Sequence, residues 1–364
     1  MQFEAILERD LGTHSRWVHD CCWSAGDGLC VSAGFDCRAL VHRVDGAAAA
    51  TAEPVVVLKH SARVRACCCA GTAVVTGCKT SVHVWDAVSG GTRSVLAAPA
   101  GSVGEFEACV AFGDAMFAAA GTRPRGCPTA EVPVLLYDTR AAAHVGSLVG
   151  HTSGVTRLCC DPAGQLLASA STDGSVRVWE ARAGGRALHV LGGHKGGVRS
   201  CAFWAAPGDD AAAAEVVSGG YDRAILVHQL RPRAGVDSGT GVGAGAGAAI
   251  GRLAGYCFSL ACSSAFGGVV AAGAGNPDYA ARLWTLGRGD EEGGAAAQEG
   301  GAGRGLCLVQ ELPGNKEHAS CCAFSSCGRR LLTGGEGGVL RLWQLRETAV
   351  KRRRISLRGS GDNT

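Results

Sequence analysis

The side chains that could do chemistry here are the chain's 11 histidines, its 19 cysteines and a set of aspartates. His14, His60, His151 and His194 each open a similar stretch, and Asp36, Asp173, Asp222 and Asp278 each stand in a turn further along. A catalytic dyad is expected once, at a break in a pattern. Groups that recur in step are more simply structural, since an imidazole and a carboxylate inside a small sheet must bond each other or cost several kcal/mol. Two histidines do break the pattern. His42 and His228 stand where an aromatic residue closes other stretches, but they fall in the first and fifth stretches, which are not neighbours, and a shared metal would need them close together.

The cysteines follow the same rhythm. Cys21-Cys22, Cys67-Cys68-Cys69, Cys159-Cys160, Cys201 and Cys321-Cys322 all lie in the first apolar run after a repeat's opening. Adjacent residues of a strand point to opposite faces, so such pairs do not readily share one tetrahedral metal. No Cys-x-x-Cys pair occurs. The expectation is small core hydrophobes in a reducing compartment. The glycine-rich GVGAGAGAAIG lacks the strand-then-helix setting of a dinucleotide loop and the Lys-Ser/Thr of a P-loop. No cofactor, no metal and no catalytic residue are therefore expected, and the chain is read as a non-enzyme.

The clearest unit is 151–180, HTSGVTRLCCDPAGQLLASASTDGSVRVWE. Short apolar runs alternate with the turns Asp161-Pro162-Ala163-Gly164 and Thr172-Asp173-Gly174, which is strand spacing. With Gly150-His151 before it and Trp179-Glu180 at its end, the unit resembles a WD repeat, one blade of a β-propeller. That resemblance implies a buried network of His151, Ser169, Asp173 and Trp179. Copies follow in both directions. The first has His14, Ser32 and Asp36 and closes on His42; the second runs from His60 to Trp85-Asp86 and lacks the turn Asp. The third has Ser102 in the His slot and closes on Tyr137-Asp138. The fifth has His194, Ser218, Asp222 and His228. The sixth is read with Tyr256 in the His slot, then Asp278 and Trp284; the seventh has Asn315, Gly337 and Trp343.

The openings are spaced by about 45 residues, the family period, except for the last two gaps. Those contain the Gly/Ala-rich tracts 234–250 and 286–305, expected to be disordered loops, and Gly208–Ala211 is a smaller insertion in a hairpin. The resemblance thus implies an all-β fold: one seven-bladed WD-repeat propeller over 1–345 and a basic disordered tail, 346–364. Each repeat supplies three strands of its blade, and the fourth precedes the next opening, as in Pro54–Leu58 and Ala187–Leu191. Nothing apolar follows Leu345, so the strand Phe3-Glu4-Ala5-Ile6-Leu7 is expected to close the ring on the last repeat.

A net charge of +3 is too small to argue for nucleic acid. No apolar run is long enough to span a bilayer and no signal pattern follows Met1, so a soluble protein of the cytoplasm, the nucleus or both is expected. The propeller resemblance implies a scaffold that binds protein or peptide partners as part of a larger complex. Family geometry places the partner contacts at Trp17, His19 and Phe35, at Arg63 and Arg65, and at Arg199 and Tyr221. Glu105 and Glu107, with His318, Ser320 and Glu336, occupy the matching positions of the third and seventh repeats. Aromatic and Arg residues dominate binding hot spots, and three arginines suit a carboxylate or phosphate beside an apolar anchor. Two readings compete. Asp138-Thr139-Arg140 and Glu180-Ala181-Arg182 resemble the acid-x-Arg box of WD-repeat substrate receptors of cullin-RING ubiquitin ligases, which implies that Arg140 and Arg182 contact the ligase adaptor. In the tail, Lys351, Arg352, Arg353 and Arg354 precede Ser356 and suit a nuclear-import signal, or an RNA-associated assembly factor.

Overall fold

Apolar runs of strand length, broken every few residues by Gly, Asp or Pro, leave little room for helix. A computed structural model describes residues 3–45, 52–127, 131–182, 185–204, 215–230, 244–275, 279–288, 304–313 and 318–348. Among them are seven sheets set as blades around an axis, a seven-bladed β-propeller. The inner strands, in blade order, are Val18–Trp23, Val64–Ala70, Phe106–Phe112, Val155–Cys160, Val198–Trp204, Cys257–Ser263 and Ala319–Phe324. Each packs on its two neighbours, and the last packs on the first.

The ring closes by exchange of a strand. Phe3–Thr13 is the outer strand of blade 7, antiparallel to Val339–Glu347, with Phe3 opposite Glu347 and Thr13 opposite Val339. Blade 7 therefore continues past Leu345. Phe3, Ala5 and Leu11 are buried in the joint. The Gln310 side chain of blade 6 acts as one more strand residue: its amide accepts from Ala5 N at 2.7 Å and donates to Ala5 O at 2.9 Å. Closure removes the open sheet edge that an unpaired last blade would present.

One irregularity repeats in all seven inner strands. A register shift follows the first residue, so His19, Arg65, Glu107, Thr156, Arg199, Phe258 and Ser320 are each the extra residue of a β-bulge. The polar side chain at the bulge, or the next one, stitches its blade to the following blade. His19 Nδ1 lies 2.7 Å from Arg65 O, Asp20 accepts from Cys67 N at 3.0 Å, and Thr156 donates to Val198 O at 2.8 Å. Ser200 accepts from Leu260 N at 2.9 Å, Ser259 accepts from Cys322 N at 3.0 Å, and Ser320 donates to Val18 O. These bonds satisfy backbone groups close to the axis, where blades are nearest one another. The same crowding favours cysteine there: Cys21, Cys67, Cys109, Cys201 and Cys322 are buried where the inner strands meet. Burial pushes the thiols of Cys67 and Cys109 up, so they stay protonated.

Three expectations need correction. Residues 244–250 of the first low-complexity tract contribute to strands: Ala244–Ala246 runs parallel to the outer strand of blade 4, and Ala248–Arg252 is the outer strand of blade 5. Both edges of the second tract are also strand, with Leu286 opposite Leu306 and Arg288 opposite Arg304. A Gly/Ala backbone pairs as well as any other once a sheet edge is offered. The third correction concerns the sixth repeat. The amide of Leu253 bonds Arg223 O at 2.8 Å, as the amide of His60 bonds Cys37 O and that of His14 bonds Gly338 O. Leu253, not Tyr256, thus holds the His slot, and an apolar residue there hid it. Asp278, Asn315, Gly208–Ala211, Lys351, Arg352, Arg353, Arg354 and Ser356 lie outside the described residues.

Candidate functional site

Each blade carries the connections that precede its inner strand at one end and the turns after its inner and third strands at the other. The histidines belong to the framework of the first end. His151 Nδ1 donates to Asp173 at 2.7 Å, Ser169 Oγ lies 2.7 Å from His151 Nε2, and Trp179 Nε1 donates to that hydroxyl at 2.8 Å. Burial works against the Asp173 anion, but His151 and Ser175 hold its carboxyl below the usual range. Serine, histidine and aspartate in series look like a nucleophile relay. Ser169 is 0% exposed, however, so no substrate reaches its hydroxyl. Blade 1 repeats the relay through His14, Ser32 and Asp36, and blade 5 through His194, Ser218 and Asp222. The two substitute histidines differ. His228 Nε2 lies 2.9 Å from Ser218 Oγ and replaces the indole, whereas both ring nitrogens of buried His42 lack a partner among the described residues. Among the described residues no group of three or more His, Cys, Asp or Glu could hold a metal.

On the same end the side chains form a belt of aromatic rings and guanidinium groups. Trp17 and Phe35 stack at 5.7 Å, and His19 stacks on Phe35 at 5.2 Å. Arg63 and Arg65 lie 5.1 and 5.2 Å from the Phe35 ring. On the other side Trp17 meets His318, which meets Phe258 at 5.3 Å and Tyr279 at 4.8 Å. Arg199 lies between Phe258 at 5.4 Å and Tyr221 at 6.0 Å, and Tyr221 meets Tyr256. All seven residues anticipated for this face are thus in or beside one belt. Tyr256 and Phe258 belong to it as well and were missed, because the misplaced His slot shifted the reading of blade 6. Trp17 and Tyr221 remain 36% and 40% exposed, unlike the other rings between them.

Charge at the bulges of blades 1 to 3 is matched internally. Arg65 pairs with Glu107 and lies 3.4 Å from Glu105. Burial pushes the Glu107 carboxyl up while Arg65 and Arg199 pull it back. Burial, with Arg199 beside it, pushes His19 down to about 3, so it is neutral. Deeper in, Arg157 of blade 4 reaches across to Asp20 of blade 1, a pair between blades that are not neighbours. That carboxylate keeps Arg157 charged against its burial.

Arg140 and Arg182 lie at the opposite end. Both follow third strands of adjacent blades, and both are exposed. Asp138 caps its own turn by accepting from the amides of Arg140 at 2.7 Å and Ala141 at 3.1 Å.

Comparison with known proteins bears on the fold directly. A family described as "WD domain, G-beta repeat" matches residues 143–180, 185–229 and 306–344. Each match begins in or just before one blade's outer strand and ends in the next blade's third strand, the same offset that sends Phe3–Thr13 to blade 7. Nuclear distribution protein PAC1-2 of Uncinocarpus reesii is 26% identical over 54% of this chain and 36% of its own length. Human WD repeat-containing protein 37 is 34% identical over 26% of this chain and 18% of its own. Human WD repeat and SOCS box-containing protein 1 is 39% identical over 71 residues, 17% of its length. The chain therefore spans about a third or less of these relatives. Repeat spacing, three matched repeats and a closed ring of blades agree: the chain belongs to the WD-repeat family.

Proposed function

We propose that this chain is a non-enzymatic interaction scaffold that holds a protein or peptide segment along the aromatic–arginine belt. The supporting observation is the exposure of Trp17 and Tyr221 at positions that frame the belt. Rings left open beside ordered guanidinium groups are the side chains that anchor partners, whereas an ordinary solvated rim carries Lys and Glu. A rigid ring of loops suits this task, and the fold is typically one of binding. Affinity purification with mass spectrometry of the intact chain beside Trp17→Ala tests the reading. The variant is expected to lose the main partner while melting as the parent does. A partner set unchanged by Trp17→Ala overturns it.

A second reading concerns the other end. Arg140 and Arg182 stand exposed on adjacent blades, and one relative carries a SOCS box by name. Contact with a ubiquitin-ligase adaptor through these two arginines predicts that Arg140→Ala with Arg182→Ala abolishes adaptor pulldown and leaves belt partners bound. Adaptor recovery that is unchanged, or absent from the parent as well, refutes it.

A further inference from the structure

The belt does not treat all of its cations alike. Between blades 1 and 2 lies a cavity of about 600 Å³ lined by Arg16, Phe35, Arg63, Arg65, Lys79 and Glu105, among others. A second cavity of about 550 Å³ shares Arg16, Phe35 and Arg63 with it and adds Trp17 and Glu336. Of the four cations, only Arg65 is compensated, by Glu105 and Glu107. Asp36 also lines the first cavity, but it is engaged by His14, the amide of Ser15 and Arg38. Among the described residues no carboxylate pairs with Arg16, Arg63 or Lys79. Three unmatched positive charges therefore line one hollow with a phenyl wall.

The backbone supplies a second observation. Lys79 has a φ of 50°, in the left-handed region. Glycine holds that region in the matching turns of blades 4 and 7, through Gly174 and Gly338, while Cys37 and Arg223 hold it in blades 1 and 5. A lysine there is strained where a glycine would not be. Blade 2, like blade 5 with Arg223, places a cation at that position.

Taking this end as the partner face, on which the assignment rests, we infer that this cavity receives a phosphorylated serine or threonine of a protein partner, with a neighbouring apolar residue of that partner on Trp17. A phosphate monoester carries roughly −1.5 to −2 charges and three acceptor oxygens, which three unmatched cations can meet. A carboxylate, with one charge, would leave most of that field unmatched. A nucleic-acid strand fits less well. Glu105 of blade 3 and Glu336 of blade 7 bound the paired cavities on either side, and they would repel the phosphates before and after the first. A single dianion on an otherwise uncharged segment avoids both.

The test uses the full chain and a degenerate peptide array with phosphoserine, serine or glutamate at its centre, with a short oligouridylate in parallel. Phosphoserine peptides should be retained, with apolar residues enriched beside the phosphate, and Arg63→Ala and Lys79→Gly should each weaken binding about tenfold or more. Lys79→Gly removes a strained residue, so it should melt no lower than the parent, and loss of binding cannot be put down to unfolding. Phosphopeptide binding unchanged in both variants overturns the inference, as does glutamate equal to phosphoserine, an array that retains nothing, or oligouridylate binding that Lys79→Gly abolishes. Serine peptides retained equally well, yet released by Trp17→Ala, would remove the phosphate and leave the partner face standing. Peptides indifferent to Trp17→Ala would remove both.

Discussion

His42 offers a measurement of what the missing indole of blade 1 costs. Its side chain is 1% exposed, and neither ring nitrogen has a partner among the protein groups described. Burial pushes its pKa from 6.5 down to about 4. The folded state therefore holds His42 neutral while the unfolded chain binds a proton from pH 6.5 downward. Stability from this group is fully present above pH 6.5 and is lost as the pH falls from there towards 4. At 1.36 kcal/mol per pKa unit the loss across that window is about 3 kcal/mol. At neutral pH each unpaired buried nitrogen adds a desolvation cost of about 1–3 kcal/mol.

His42→Leu keeps the volume and removes both nitrogens. It should stabilise the protein by about 1–2 kcal/mol at pH 7.5, a rise in Tm of a few degrees at most. The gap over the parent should widen steadily between pH 6.5 and 4.5, as followed by thermal melts at stepped pH. His60, also lowered by burial to about 4, and His19 are common to both proteins and cancel in the difference. A variant that melts below the parent at pH 7.5, with a gap that stays constant on acidification, would refute the reasoning. His42 would then be satisfied in solution.

Deleting residues 1–13 should unpair the edge of Val339–Glu347 and expose its partners, giving a lower Tm and concentration-dependent aggregation in light scattering. A truncated chain that stays monomeric at the parental Tm refutes the closure argument. Arg157→Met leaves the buried Asp20 carboxylate alone and should cost about 3–5 kcal/mol by chemical denaturation; adding Asp20→Asn should recover part of it. Additive losses would mean that the two side chains do not act as a pair. Tyr137 stands at the closing aromatic position of blade 3 opposite Phe117, with Ala119 where blade 4 has Ser169, and its buried hydroxyl has no partner among the described residues. Tyr137→Phe should therefore be neutral or slightly stabilising in the same melts, and a loss above about 1 kcal/mol would show a hidden bond.

The blades are visible in the sequence because strand length, turn residues and the His–Asp–Trp positions recur in step. Where an apolar residue replaces one marker, the frame slips. Leu253 carries no polar signature, so Tyr256 reads as the slot, and Tyr256 and Phe258 go unrecognised on the face. Aligning blade 6 on the bulge that precedes Ser259 finds them. Residues 244–250 escape for another reason: Gly and Ala composition reports the weakness of side-chain packing, while strand pairing depends on backbone groups that every such residue carries.

Charge matching is the least visible part, because it depends on where the ring brings distant residues. Arg65 reads from the sequence as a ligand contact, yet its carboxylate partners come from the next blade and largely neutralise it. The signal is present, since Glu105 and Glu107 occupy in repeat three the positions that Arg63 and Arg65 occupy in repeat two. Arg65 and Glu107 are the bulge residues of adjacent blades, and opposite charges at that equal position pair. The Asp20–Arg157 strut follows the same logic at longer range. The residue after the bulge is Ala66, Ala108, Ser200, Ser259 or Cys321 in five blades, and a full charge in the other two. An unpaired charge at that crowded place would cost several kcal/mol, so two of opposite sign in one ring imply each other. In a repeat fold, departures in charge from a small-residue position therefore carry distance information that spacing alone does not. Glu105, the positional counterpart of Arg63, goes to Arg65 instead, so Arg16, Arg63 and Lys79 pair with no carboxylate among the described residues and are the cations that the proposed phosphate would meet.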